Sequence, residues 1–205
     1  MHCRTGKKVA ITATYTLAVL LCGCIAKHFL KITYQLPTPS EVAPPRTVRL
    51  TVNDARPQAS FLSATARDTL GSVSETLTLV VKNQSPSNAS IGAYDLVSML
   101  EEIFKQRLEQ DGIQLAAKNQ DAEAQLAIEL KEFWLDLKKP KWILTMTYRM
   151  ALLRNGKSLT QETISGQAER LQILGRKEAE VLMGELITDL VNRIDPHQLL
   201  QQAGL

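Results

Sequence analysis

The chain has 205 residues, 44% hydrophobic and 22% charged, which suffices for one substantial core and does not call for a second domain. Its formal charge of +3 sits entirely ahead of residue 24: removing Arg4, Lys7 and Lys8 from the 24 basic residues leaves 21, equal to the 21 acidic ones. With a neutral remainder and only 5% aromatic residues, the chain lacks the basic surface and stacking platforms of a nucleic-acid reader.

The first element is a leader. "MHCRTGKK" is basic, Val9 to Leu21 is uncharged and mostly apolar, and small residues follow at Cys22-Gly23, the three-part layout of a secretory signal. An uncleaved single-pass anchor is the alternative, since the uncharged stretch from Val9 to Ala26 reaches 18 residues, near the lower limit for crossing a bilayer. Against it, Thr12, Thr14, Tyr15 and Thr16 dilute the stretch, and Lys27, His28 and Lys31 put positive charge on the wrong side for an exported anchor.

Leu21-Cys22-Gly23-Cys24 resembles the lipobox of bacterial lipoproteins. That resemblance implies cleavage between Gly23 and Cys24, a diacylglycerol on the Cys24 thiol and an acyl chain such as palmitate on its freed amine. Two or three chains hold a protein where one holds only marginally. A Cys-x-Cys metal or redox pair is the rival reading. The chain has no cysteine after Cys24, and its only histidines are His2, His28 and His197, so no coordination shell is completed. No metal and no cofactor are expected.

Residues 24–46 read as a proline-rich tether, with Pro37, Pro39, Pro44 and Pro45 excluding helix and central strand around them. "HFLKITYQL", residues 28–36, fits either this tether or an edge strand. Residues 47–205 are expected to form a single domain.

In that domain, Val48, Leu50 and Val52 alternate as in a half-buried strand that stops at Asn53-Asp54. Residues 74–81 form a second strand, and "KNQSPSNAS" after it reads as a turn or loop. A helix is predicted over 93–110, with Leu96, Val97, Leu100, Ile103, Phe104 and Leu108 on one face and Gly112 as its stop. Next, alternation at Ala124, Leu126, Ile128 and Leu130 shifts by one to Phe133, Leu135 and Leu137, which predicts a bulge near Lys131 and Glu132.

Asn155-Gly156 fits the two positive-φ positions of a type I′ hairpin, pairing Arg154 with Lys157; counting back puts Arg149 opposite Glu162. Trp142, Leu144, Met146, Tyr148, Met150 and Leu152 are assigned to the core. A final helix is predicted from about Arg176 to Ile194, ended by Pro196, with a short helical turn at "PHQLLQQ". The order β-β-α-β-β-β-α predicts an α+β fold, two-layered, with a mostly antiparallel sheet and two main helices packed on one face.

This layout resembles YajG-type lipoproteins of Gram-negative envelopes, on the Val52-Asn53-Asp54-Ala55-Arg56 element, the helix ending at Gly112, the Asn155-Gly156 hairpin and the late apolar helix. The resemblance implies an α+β domain on the periplasmic face of the outer membrane and supplies no catalytic residues. Ile25 after Cys24 resembles the pattern for release to the outer membrane.

A hydrolase needs a nucleophile oriented by a base, and His197 is the only histidine beyond the leader and tether. Asp54 and Arg56 read either as a small polar site or as an ion pair closing the first strand. Trp134 with Lys138, Lys139 and Lys141 reads either as an aromatic and basic partner surface or as a solvated hairpin beside core tryptophans. The expected function is therefore a lipid-anchored, non-catalytic binding or assembly module of the envelope. It would be held by membrane lipid through Cys24 and would engage an envelope protein, with no nucleic-acid partner. The alternative is an auxiliary lipoprotein of an envelope transporter or lipopolysaccharide export complex.

Overall fold

The structure, a computed structural model, describes residues 28–39, 46–82, 88–117 and 120–204. The leader, the lipobox and Cys24 lie outside the described residues. The element order is β1 (His28–Gln35), β2 (Thr47–Asp54), α1 (Ala64–Leu70), β3 (Val73–Lys82), β4 (Asn88–Tyr94), α2 (Leu96–Gln110), β5 (Gln114–Leu115), β6 (Ala124–Lys138), β7 (Lys141–Arg154), β8 (Lys157–Leu171), α3 (Arg176–Asn192) and α4 (Pro196–Gln202). The fold is α+β.

Three long strands dominate: β7 alternates buried and half-buried residues along its length, β6 does so on either side of one shift, and β8 pairs along β7 as an outer strand. β6, β7 and β8 pair antiparallel, β2 joins β6 in parallel, and β5 adds at the far edge, giving the order β5-β2-β6-β7-β8. The inner face of β7 carries Trp142, Leu144, Met146, Tyr148, Met150 and Leu152, all buried. The shift in alternation along β6 is a bulge, with the register to β7 slipping between Leu130 and Glu132. Asn155 and Gly156 take φ of 51° and 74°, and Arg154 pairs with Lys157, as the two-residue turn requires.

One register differs from expectation. A second irregularity between Leu152 and Leu153 moves β8 by one residue, so Arg149 faces Thr163 and Glu162 faces Met150. Arg149 forms its ion pair on the other neighbour, with Glu129 of β6.

Of the two readings of residues 28–36, the structure takes the edge strand: His28–Gln35 form β1. Leu30, Ile32 and Tyr34 are fully buried, and β1 pairs in parallel with β3 in a second sheet of order β1-β3-β4. This second sheet was not expected. β4 also occupies Asn88–Tyr94, where a loop and the start of a helix were predicted. α2 begins only at Leu96, because Asp95 accepts from the backbone N–H groups of Val97 and Ser98, both at 3.0 Å, and fixes the helix start. α3 stops at Asn192, and Pro196 opens α4 rather than closing α3.

α2 and α3 lie on the same face of the five-stranded sheet. Tyr148 shows it: its ring meets Phe104 of α2 edge to face at 5.4 Å, and its hydroxyl donates to the Leu190 carbonyl of α3 at 2.8 Å. α3 also closes the free edge of β1. Glu180 and Thr188 accept from the N–H groups of Lys31 and Gln35, each at 3.1 Å, and Asn192 donates to the Gln35 carbonyl at 2.9 Å. Among the described residues no helix is long and apolar enough to cross a membrane.

Candidate functional site

β2 ends at Asp54, where the chain turns outward across the rim of the sheet. Its carboxylate clasps Arg56 twice, receiving Nε at 2.9 Å and Nη2 at 2.7 Å, and also accepts the Arg56 backbone N–H at 3.1 Å. The pair is therefore both an Asx turn and a bidentate ion pair. Hydrogen bonding from Arg56 holds the Asp54 carboxyl below the usual aspartate range. The Arg56 side chain is only 6% exposed, and its Nη1 has no hydrogen-bond partner.

This clasp borders a hollow of about 400 Å³ on the outer flank of the sheet, lined by Arg56, Gln58, Ser60, Lys131, Trp134 and Thr147 among others. The bulge in β6 creates it. Beyond the register slip, Glu132 and Trp134 point outward while Phe133 turns into the core against Phe61, edge to face at 5.8 Å. The two sequence candidates Arg56 and Trp134, far apart in the chain, thus share one wall.

The lysines do not join them. Lys138, Lys139 and Lys141 sit at the β6–β7 hairpin tip, four or more residues along the strand from Trp134 and so about 13 Å away. Lys141 is paired with Glu169 of β8 at 2.8 Å. Trp142 is in the core, its indole N–H donating to the Gly175 carbonyl at 3.1 Å. The expected surface divides into an indole beside the clasp and a basic tip.

The polar groups around the hollow mostly satisfy one another. Lys131 pairs with Glu129 at 2.7 Å, and Thr147 donates to Glu132 at 3.4 Å. What the hollow offers a ligand is a partly exposed indole face and the side-chain amide of Gln58, since the Ser60 hydroxyl is taken up by Leu62 and Arg67 and the Arg56 Nη1 is buried. That set suits docking of a polar group beside an apolar one. Sequence reasoning missed Gln58, Ser60 and Thr147, which carry no pattern of their own.

No family model matches the chain, and no curated protein matches it. Among solved structures, it is similar to protein XCC0632 from Xanthomonas campestris, of family model DUF330, at 14% identity and a TM-score of 0.49, covering 80% of this chain and 91% of that one. It is similar to the rare lipoprotein B from Shewanella oneidensis at 15% identity and a TM-score of 0.38, covering 51% and 88%. It is also similar to a minor lipoprotein from Acinetobacter baumannii at 12% identity and a TM-score of 0.36, covering 75% and 94%. Two of these three are described as lipoproteins.

Proposed function

We propose that this protein is a lipid-anchored lipoprotein of the bacterial cell envelope, a non-catalytic binding or assembly module facing the periplasm from the outer membrane. The observation that carries the reading is Leu21-Cys22-Gly23-Cys24 at the end of a basic-then-apolar leader, with no cysteine in the domain behind it. A YajG-type relationship agrees with the Val52–Arg56 element, which ends the first strand of the five-stranded sheet in the Asp54–Arg56 clasp. Support for a binding role comes from the hollow at Arg56 and Trp134, whose neighbouring charges are committed to ion pairs and hydrogen bonds rather than arranged as nucleophile and base.

The test is metabolic labelling with an acyl-chain probe followed by membrane fractionation. Wild-type protein is expected to take up label, begin at Cys24 and stay with outer membranes, while Cys24→Ala loses label and remains unprocessed. Membrane retention of an unlabelled chain with its leader attached would instead establish the single-pass anchor. Capture of the labelled protein with its neighbours, comparing wild type with Trp134→Ala, tests the hollow as the docking point. Transporter subunits among the partners lost would define it as an auxiliary lipoprotein.

A further inference from the structure

The end of the domain where β1 begins carries exposed apolar side chains. Ile173 is 76% exposed, Leu174 70%, Leu171 53% and Phe29 47%. Leu171 ends β8 and Ile173 and Leu174 lie in the short connection to α3, beside the hairpin tip: Leu171 pairs with Lys141, and the Gln172 N–H donates to the Pro140 carbonyl at 2.8 Å. Residues 138–141 and 169–180 together hold six basic residues, Lys138, Lys139, Lys141, Arg170, Arg176 and Lys177, against three acidic ones, Glu169, Glu178 and Glu180. Glu169 and Glu180 are already held by Lys141 and Arg176. No ion pair forms at Lys138, Lys139 or Lys177 among the described residues. Arg170 is held by Glu185 of α3, which leaves Lys138, Lys139 and Lys177 as the cations of this end without an ion pair among the described residues.

β1 brings the N-terminal segment to the same end. It runs beside α3 in the same direction, with Lys31 against Glu180, Thr33 against Gly184 and Gln35 against Thr188, two strand residues for each helical turn. Carried back one step, this spacing brings Phe29 level with Arg176, the first residue of α3, which Ile173 and Leu174 precede by three and two residues. Only residues 25–27 separate Cys24 from His28, so a fully extended chain places the cysteine no more than about 14 Å from the start of β1.

We propose that this end of the domain lies against the bilayer that holds its own anchor, with Ile173, Leu174 and Phe29 entering the headgroup region and Lys138, Lys139 and Lys177 meeting anionic phospholipid phosphates. The proposal rests on Cys24 being the acylated first residue. Apolar side chains rimmed by lysines are what such an interface selects, and a short connection leaves the domain no room to stand away from it. The protein is then pinned in one orientation, with the Asn155-Gly156 turn pointing away from the membrane.

The mature lipoprotein has no free thiol, so one introduced cysteine reports alone. Lipidated full-length protein carrying Ile173→Cys or, at the opposite end of β8, Leu159→Cys is labelled with a fluorophore. It is then reconstituted in vesicles of phosphatidylethanolamine and phosphatidylglycerol containing nitroxide-labelled lipid. The Ile173 probe is expected to be quenched several-fold more by the nitroxide lipid than the Leu159 probe and to be the less quenched by aqueous iodide. Adding Lys138→Glu and Lys139→Glu should reduce that difference. Equal iodide access at both sites overturns the proposal. So does an Ile173 probe shielded from both quenchers, because a second copy or another protein then covers this end. Intact mass separates the two readings: acylated Cys24 with a solvent-exposed Ile173 removes the docking alone, whereas an unacylated Cys24 behind an uncleaved leader removes the lipoprotein assignment with it.

Discussion

Gly184 of α3 stands directly over the backbone of Thr33 in β1, so near that a Cβ at Gly184 would come within 2.6 Å of the Thr33 carbonyl oxygen and 3.2 Å of its nitrogen. The helix and the strand edge touch main chain to main chain. That approach lets Glu180, Thr188 and Asn192 reach the unpaired groups of β1 and turns an open edge into an internal seam.

Two effects of opposite sign therefore meet in Gly184→Ala. Alanine is the better helix former by about 1 kcal/mol, while a clash with backbone that cannot rotate away costs about 1–3 kcal/mol. The clash is expected to win, and urea unfolding should show a net loss of stability. Gly166→Ala is the control. There the nearest atom is the Leu190 Cδ2 at 2.8 Å, the end of a side chain able to shift, so the loss should be smaller.

A buried charge pair ties the end of α2 to the end of α3. Arg107 and Asp111 are 5% and 4% exposed, bind each other across one helical turn, and Arg107 also donates to the Ile194 carbonyl at 3.0 Å. Arg107→Ala strands a carboxylate and a carbonyl, for an expected loss of about 3–5 kcal/mol. The double substitution Arg107→Met with Asp111→Leu should recover much of it. If the double variant is no more stable than Arg107→Ala, the cost lies in packing and not in the orphaned charge.

The hairpin register can be read out by coupling. Arg149 reaches Glu129, and hydrogen bonds from Lys131 and Arg149 hold that glutamate below its usual range. Both side chains are about one-third exposed, so a double-mutant cycle on Arg149 and Glu129 should give a coupling of no more than about 1 kcal/mol that fades with added salt. The cycle on Arg149 and Glu162 should give none. A coupling to Glu162 instead would mean that β8 pairs without the slip at Leu152.

That slip marks where sequence legibility ends. A bulge inside one strand, as at Lys131, is written in the sequence because the buried face changes parity, Leu130 giving way to Phe133. The bulge near Leu152 leaves no such trace, since most of β8 is half-exposed or exposed on both faces and a one-residue shift buries nothing different. The same contrast separates β1 from β4. Leu30, Ile32 and Tyr34 alternate clearly, yet their partner β3 lies some 45 residues on in parallel, and only the fold reveals it. "NASIGAY" has too little apolar pattern to read as a strand. The site divides likewise: Asp54 and Arg56 are visible as a local pair, but the meeting of Arg56 with Trp134 depends on β2 lying beside β6.

The Asp54–Arg56 clasp carries a pH signature. Because the folded carboxyl titrates below the unfolded value near 3.9, its stabilisation is complete above that value and is lost as pH falls through the lower folded one. Asp54 is 38% exposed, so solvent screening limits the contribution to about 1 kcal/mol or less. Asp54→Asn keeps one oxygen to accept the Arg56 backbone N–H and removes the charge. It is expected to be slightly less stable than wild type at neutral pH and to converge with it in acid. Urea unfolding across a pH series checks this. A difference that persists undiminished below about pH 3 would assign the role of Asp54 to the turn geometry rather than to its charge.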